Sequence, residues 1–215
     1  MSTHPYEQEM SVEAFFQFCQ EHPEERYEYI HGYAYWLMVG GDSNHSRIKI
    51  NLTGELRNAL RGGSCLVFDS DMHVRVDDNL YVLPDASVSC DERDHGYVQT
   101  LKYPCLVIEV LSPSTKNYDQ VQKLAYYASV PTIKEYVLIS TNEKLVVVHR
   151  RGQNESWVTH LYRAGSYIEF TSIGVRLSLE VLYEHVTFQQ RLPKVRQRKA
   201  TEHIEHTTSK SLHSP

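Results

Sequence analysis

Hydrophobic and polar positions follow two periods along the chain, one typical of helices and the other of strands. Apolar residues at helical spacing predict helices over 11–22, 43–61 and 116–129, and a short helix over 177–184. Short apolar or alternating runs predict strands over 65–69, 72–76, 80–89, 144–150, 156–163 and 166–170. The aromatic-rich segment 26–39 predicts two strands around a tight turn at His31-Gly32.

Two further runs, 104–111 and 135–140, are apolar almost throughout, as expected for strands buried on both faces. The predicted helix over 116–129 lies between them, so the three segments form a predicted βαβ unit. The expected fold class is α/β, of a mixed α+β kind. It has a mixed central sheet flanked by helices, with extra strands beyond it.

The length suits one domain over residues 1–190, followed by a basic tail over 191–215 that is predicted to be disordered. Six of the 22 basic residues but only two of the 27 acidic residues lie in this tail. The net charge of −5 therefore divides into a body near −9 and a tail near +4. An acidic body argues against a passive nucleic-acid coat protein. It is compatible with action on DNA if metal ions neutralise an acidic pocket.

Other protein classes are disfavoured. No apolar run reaches about 18 residues, so no membrane-spanning helix is expected. The polar N-terminus lacks the layout of a signal peptide, which makes a cytoplasmic location the expectation. The four cysteines form no C-x-x-C pair and each lies in or beside an apolar segment. They are expected to be free thiols, and neither a zinc site nor a disulfide framework is predicted.

Glu109 is the one acid inside the apolar run 104–111, and Asp85 ends the strand-like segment YVLPD. A buried charge is costly without compensation, so Glu109 requires a metal, a cation or several hydrogen-bond donors. The alternative for Glu109 is a buried salt bridge to Lys or Arg. The alternative for Asp85 is a turn residue after Pro84.

An ordered set of motifs carries a family resemblance: YEYIHGYAY, NHSRIKINL, LPDASV, PCLVIEVLSPST, NYDQVQKLAYY and EYVLI. Over roughly residues 10–185 the chain resembles the Uma-type endonuclease family of the PD-(D/E)XK, restriction-endonuclease-like superfamily. The resemblance implies a restriction-endonuclease-like core and a metal-dependent phosphodiesterase activity. It also implies DNA as the substrate, with RNA as the alternative, and a homodimer.

By this resemblance Asp85 and Glu109 hold Mg²⁺ or Mn²⁺, with the carbonyl of Val110 as a further candidate ligand. Oxygen ligands suit such hard cations. In the superfamily pattern a lysine lies two residues after the glutamate, but Leu111 stands there. Lys123 on the following helix matches the family's lysine.

The choice of lysine leaves alternatives open. Lys123 is the candidate that orients the attacking water or stabilises charge on the phosphate, and Lys116 is the second candidate. Without the family match, Asp119 and Lys123 read as an ordinary i,i+4 pair on a solvated helix face.

Two further catalytic candidates have equally plain alternatives. Glu28 matches an acidic position of the family, where it is an outer ligand or a proton acceptor. Otherwise it is one polar position of a hairpin. His45 matches a family histidine that contacts phosphate or assists proton transfer. Otherwise it is a residue of the helix start near Ser43.

Three functions remain open from the sequence. The first is a divalent-metal DNA endonuclease. The second is a non-catalytic member of the fold that serves as a nucleic-acid-binding or regulatory dimeric module. The third is a metal-dependent hydrolase of RNA or of a small phosphate ester.

Overall fold

A computed structural model describes residues 8–37, 42–112 and 118–188. Its helices are α1 (Val12–Glu21), α2 (Ser43–Ala59), α3 (Leu124–Ser129) and α4 (Leu179–Leu182). A π-helix over Tyr118–Lys123 leads directly into α3, and a 3-10 turn covers Glu92–Asp94. The predicted tail over 191–215 and the candidate Lys116 lie outside the described residues.

The strands in chain order are β1 (Arg26–Ile30), β2 (Tyr33–Leu37), β3 (Leu66–Asp69), β4 (His73–Asp77), β5 (Leu80–Val82), β6 (Ala86–Ser89), β7 (Thr100–Leu101), β8 (Leu106–Leu111), β9 (Glu135–Ser140), β10 (Leu145–Arg151), β11 (Trp157–Arg163), β12 (Tyr167–Phe170) and β13 (Val175–Ser178). They form a six-stranded sheet of order β11-β10-β9-β8-β6-β3, a five-stranded sheet of order β2-β1-β5-β4-β7, and the hairpin β12-β13.

The predicted βαβ unit is confirmed, because β8 and β9 pair in parallel and are joined through the π-helix and α3. Side chains alternate between the two faces of these strands. Ile108 and Val110 pack with α2 in one core, whereas Val107 and Leu111 pack in a second core with α3 and the five-stranded sheet. The fold is therefore mixed α/β, with multi-stranded mixed sheets flanked by helices.

Three predicted segments differ from the observed ones. The run over 80–89 is split into β5 and β6, which belong to different sheets, because the chain passes from one sheet to the other at Pro84-Asp85. The helix expected over 177–184 is only α4, preceded by β13, whose alternating side chains pair with β12. The helix over 116–129 begins, within the described part, as a π-helix.

The prediction of four free cysteines is wrong for two of them. Cys65 and Cys90 form a disulfide, whereas Cys19 and Cys105 are free thiols. The physical reason is the register of β3 against β6: Leu66 pairs with Ser89, so one step further Cys65 faces Cys90. The Cα atoms of the two cysteines are 3.9 Å apart.

The N-terminal turns of α2 contribute to the site described below. Asp42 rather than Ser43 caps the helix, since its carboxylate accepts a hydrogen bond from the backbone N–H of His45. Ile48, Leu52 and Leu56 are fully buried along one side of the helix. No helix within the described ranges has the length and apolar character needed to cross a membrane.

Candidate active site

The ammonium group of Lys123 is the centre of a buried polar cluster between the two sheets. Its Nζ donates to Glu109 Oε1 at 2.8 Å and lies 2.9 Å from Glu28 Oε1. It also donates to the carbonyl of Leu83 at 3.3 Å and lies 3.8 Å from an oxygen of Asp119. Four chain segments thus meet at one lysine, which is 3 % exposed.

Local structure explains how these groups arrive there. Glu28 occupies the middle of β1, and Glu109 lies in β8 on the face shared with Val107 and Leu111. The π-helix over 118–123 carries both Asp119 and Lys123 into the same space. Single π-helical turns are rare, and they occur often at functional sites.

Two tyrosines complete the hydrogen bonding of the cluster. The hydroxyl of Tyr118 donates to Glu28 Oε2 at 2.8 Å, and the hydroxyl of Tyr127 donates to Glu109 Oε1 at 3.2 Å. The backbone N–H of Leu83 donates to Glu28 Oε1 at 3.1 Å. Among the described residues, both hydrogen bonds to Glu109 reach Oε1, so none occupies its Oε2.

The charges around Lys123 favour its protonated form. Burial lowers the pKa of Lys123, but the charges of Glu109, Glu28 and Asp119 outweigh burial and hold that pKa well above its ordinary value. Burial raises the pKa of Glu109 well above its ordinary value, although the charge of Lys123 opposes the rise. Lys123 therefore stays protonated and supplies a positive charge, and it does not act as a base.

Asp85 is held by a different set of groups. Its Oδ2 accepts the backbone N–H of Val110 at 2.8 Å and lies 3.3 Å from His45 Nε2, while its Oδ1 lies 3.1 Å from Lys49 Nζ. Burial raises the pKa of Asp85, but the contacts with His45, Lys49 and Val110 prevail and lower the pKa to about 2. Asp85 is thus an ionised carboxylate.

Asp85 lies beside Glu109, at the point where β6 begins to pair with β8. Ala86 pairs with Ile108 in antiparallel register, so Asp85 comes one step beyond β6, next to Glu109. Its carboxylate takes the N–H of Val110, a group that points along the plane of the sheet. The negative charge of Asp85 contributes to the raised pKa of Glu109.

The structure brings the candidate residues into two adjoining groups. Glu28, Glu109 and Lys123 are in direct contact, and His45 contacts Asp85 beside Val110. Glu28 does lie in the β1–β2 hairpin, opposite Tyr35, and its side chain is fully buried against Lys123. The buried salt bridge considered as the alternative for Glu109 exists, and its partner is the candidate lysine itself.

The solvated pair proposed as the alternative for Asp119 and Lys123 is wrong. Both side chains are buried, because this side of the π-helix faces Glu28 in β1 and Glu109 in β8, whereas Val121 on its other side is exposed. Tyr136 anchors this segment, since its hydroxyl donates to the backbone carbonyl of Asp119 at 2.9 Å.

Sequence reasoning missed Lys49, Tyr118 and Tyr127. For Lys49 a signal existed: it lies four residues after His45 in α2, and this spacing places two side chains on the same side of a helix. The two tyrosines carry no comparable signal in a chain with 15 tyrosines.

The donor chemistry of Asp85 and Glu109 suits a hard divalent cation. Mg²⁺ commonly takes one or two carboxylates and completes its shell with water and substrate phosphate. The two side chains and the Val110 carbonyl supply oxygen donors of that kind. Within the described ranges, no group of three or more His, Cys, Asp or Glu side chains is arranged to hold a metal.

A family model described as "Uma2: Putative restriction endonuclease" matches residues 12–181 of the chain. Two proteins of Synechocystis sp. (strain ATCC 27184 / PCC 6803 / Kazusa) are similar in sequence. "Uncharacterized protein slr1290" is 37% identical over 180 residues, which cover 83% of this chain and 94% of that protein. "Uncharacterized protein sll1609" is 29% identical over 161 residues, which cover 73% and 90%.

The fold also occurs among solved structures. An example is the crystal structure of "a putative nuclease belonging to DUF820" from Anabaena variabilis ATCC 29413, with a TM-score of 0.61 and 20% sequence identity. The match covers 74% of this chain and 90% of that one. At this level of identity the likeness establishes the architecture of sheets and helices around the cluster.

Proposed function

The chain belongs to the Uma2 family, and from that premise we propose that it is a divalent-metal-dependent endonuclease that hydrolyses phosphodiester bonds in DNA. In this proposal Asp85 and Glu109 hold Mg²⁺ or Mn²⁺, with the Val110 carbonyl as a further ligand. Lys123 acts on the attacking water and the phosphate. RNA is the alternative substrate, and a homodimer is expected from the superfamily resemblance.

The observation that carries the proposal is the contact of Lys123 with both Glu28 and Glu109, one step along the sheet from Asp85. Glu28, Glu109 and Asp119 each have an oxygen within 4.0 Å of this one ammonium group, so the buried site is rich in carboxylate oxygens. Carboxylate oxygens are donors that suit a hard divalent cation.

Each residue then has a role that follows from its contacts. A bound divalent cation would lower the pKa of the attacking water and neutralise charge on the scissile phosphate. Lys123 remains protonated, so it orients the water or stabilises negative charge and does not remove the proton. Glu28 keeps Lys123 in position, and His45 and Lys49 orient the Asp85 carboxylate.

A second candidate function has its own support. In the described residues Lys123 already neutralises Glu109, and Lys49 already neutralises Asp85. Leu111 also stands where the superfamily pattern has lysine. A non-catalytic module that binds nucleic acid or regulates a partner as a dimer is consistent with these closed ion pairs.

The experiment uses the full chain with supercoiled DNA, linear DNA and RNA, each in Mg²⁺, Mn²⁺ and EDTA. Asp85→Asn and Glu109→Gln are expected to abolish cutting and to weaken Mn²⁺ binding measured by calorimetry. Lys123→Gln is expected to lose cutting while Mn²⁺ binding persists. Asp91→Asn, which changes a carboxylate paired with Arg93 outside the cluster, is the control and is expected to cut normally.

Cutting that persists in both Asp85→Asn and Glu109→Gln would overturn the endonuclease assignment of these residues. An inactive wild-type protein that binds DNA tightly in every condition would favour the non-catalytic module. Cutting of RNA alone would replace the proposed substrate.

A further inference from the structure

The arginines within the described residues fall into two groups. Seven of those in the described ranges lie within 4.0 Å of a carboxylate: Arg26, Arg75, Arg93, Arg150, Arg151, Arg163 and Arg176. Arg47, Arg57 and Arg61 are exposed and have no carboxylate partner within the described part of the chain. All three belong to α2 or to the turn that follows it.

The geometry of α2 places these arginines away from the core. Arg47 and Arg57 are ten residues apart, which is about 15 Å along a helix axis. At about 100° per residue, one arc of about 80° contains Arg47, Ile50, Gly54 and Arg57. The opposite side of the helix carries the fully buried Ile48, Leu52 and Leu56.

Gly54 leaves the middle of this face open. Glycine inside a helix is less stable than alanine by about 0.5–1 kcal/mol, so its presence calls for a reason. A Cβ atom at Gly54 would meet nothing within 4 Å, and packing inside the described chain therefore does not require glycine. The lack of a side chain allows a partner to approach the helix backbone between Arg47 and Arg57.

The charge near this face is distinct from that of the whole body. Residues 43–61 contain four Lys and Arg side chains and one acid, Glu55, whereas residues 1–190 are near −9. A groove of about 550 Å³ beside Gly54 also has Asp69 and Asp71 on its lining. Asp71 pairs with Arg26 at 2.7 Å, whereas Asp69 accepts the backbone N–H of Asp71, a hydrogen bond that leaves its negative charge in place.

We propose that Arg47, Arg57 and Arg61, here named the α2 arginine face, contact the phosphate backbone of double-stranded DNA. Guanidinium groups bind phosphate in a bidentate manner, and unpaired ones bind it without first breaking an ion pair. The first turns of the same helix carry His45 and Lys49 to Asp85. The proposal rests on the proposed function and deepens it, because it names a surface that holds the substrate; His45 and Lys49 extend from the opposite, core-facing side of the same helix.

The test is fluorescence anisotropy with a labelled DNA duplex of about 20 base pairs, in EDTA so that cutting does not interfere, over a range of salt concentrations. The triple variant Arg47→Gln, Arg57→Gln, Arg61→Gln is expected to bind at least about tenfold more weakly, whatever the DNA sequence. Its slope of log affinity against log salt is expected to fall by about 2.7, at roughly 0.9 per phosphate contact. Arg163→Gln removes an exposed but paired arginine and is expected to change neither quantity.

Unchanged DNA affinity and salt slope in the triple variant would overturn the proposal. The same result together with a changed oligomeric state in light scattering would assign the face to a second copy of the chain. Equal loss for duplex RNA and DNA supports the phosphate contact, whereas loss for RNA alone overturns DNA as the ligand. Weaker binding without any wild-type cutting would support this face while the proposed nuclease activity failed.

Discussion

Replacement of Lys123 by methionine is the sharpest test of the buried cluster as an electrostatic unit. The variant keeps much of the side-chain volume but leaves Glu28 and Glu109 without their common cation. Removal of one partner from a buried ion pair costs about 3–5 kcal/mol. A domain is typically stable by only about 5–15 kcal/mol, so the loss is a large share of the total.

The assay is urea unfolding followed by circular dichroism at pH 7.5 and pH 5. With a slope near 2 kcal/mol per molar urea, the midpoint of Lys123→Met is expected to fall by about 1.5–2.5 M at pH 7.5. Burial without the lysine raises the pKa of Glu109 further. When the pKa of a carboxyl group is higher in the folded state than in the unfolded state, the folded protein is most stable below the unfolded-state pKa and loses stability as pH rises. The deficit should therefore shrink at pH 5.

Matched variants separate electrostatics from packing. Lys134→Met removes an exposed lysine whose ammonium donates to the backbone carbonyl of Pro131, and the unfolding midpoint of this variant should not move. Adding Glu28→Gln and Glu109→Gln to Lys123→Met removes the unpaired charges and should recover part of the stability at pH 7.5. A Lys123→Met midpoint equal to that of the wild type, or a deficit that is the same at both pH values, would refute the reasoning.

Three further predictions follow from other contacts. The pKa of Asp85 is lowered from 3.8 to about 2, which corresponds to about 2.4 kcal/mol of stability. This contribution is present above pH 4 and is lost as pH falls through 2. When the unfolding free energy is measured at decreasing pH, Asp85→Asn should therefore lose less stability than the wild type. Tyr127→Phe removes one hydrogen-bond donor to Glu109 and should weaken Mn²⁺ binding in calorimetry. Tyr136→Phe removes a hydroxyl that donates to a backbone carbonyl and should leave Mn²⁺ binding unchanged. Equal weakening in both variants would argue against a specific role of Tyr127. Reduction of the Cys65–Cys90 disulfide, which closes a 25-residue separation, should lower the unfolding free energy by about 3 kcal/mol in urea titrations with and without dithiothreitol, and an unaffected midpoint would contradict this.

The sequence predicted the βαβ unit well, because buried parallel strands are recognisable from uninterrupted apolar runs. The hairpin at His31-Gly32 was predicted for the same kind of local reason, and His31 and Gly32 both have positive φ angles. The prediction failed where one apolar segment could form either a single long strand or two short strands in different sheets. One apolar segment over 80–89 does not indicate that the chain changes sheets at Pro84.

Candidate residues were predictable as individuals but not as partners. Glu109 is recognisable from the sequence, because a single acid inside an apolar strand requires compensation. Nothing local indicates that its compensating cation is Lys123, 14 positions along the chain. The disulfide was missed for the same reason, since it depends on the register of β3 against β6 and not on any cysteine motif.

By itself, the sequence determined the order of helices and strands, the family, and the presence of a buried acid that requires a counter-charge. These depend on side-chain periodicity and on the cost of burying charge, which act over a few neighbouring residues. Only the tertiary structure decided that Glu28 shares Lys123 with Glu109 and that Lys49 joins His45 at Asp85. Such contacts join residues from β1 to the π-helix, and they depend on which sheets pack together and in which register.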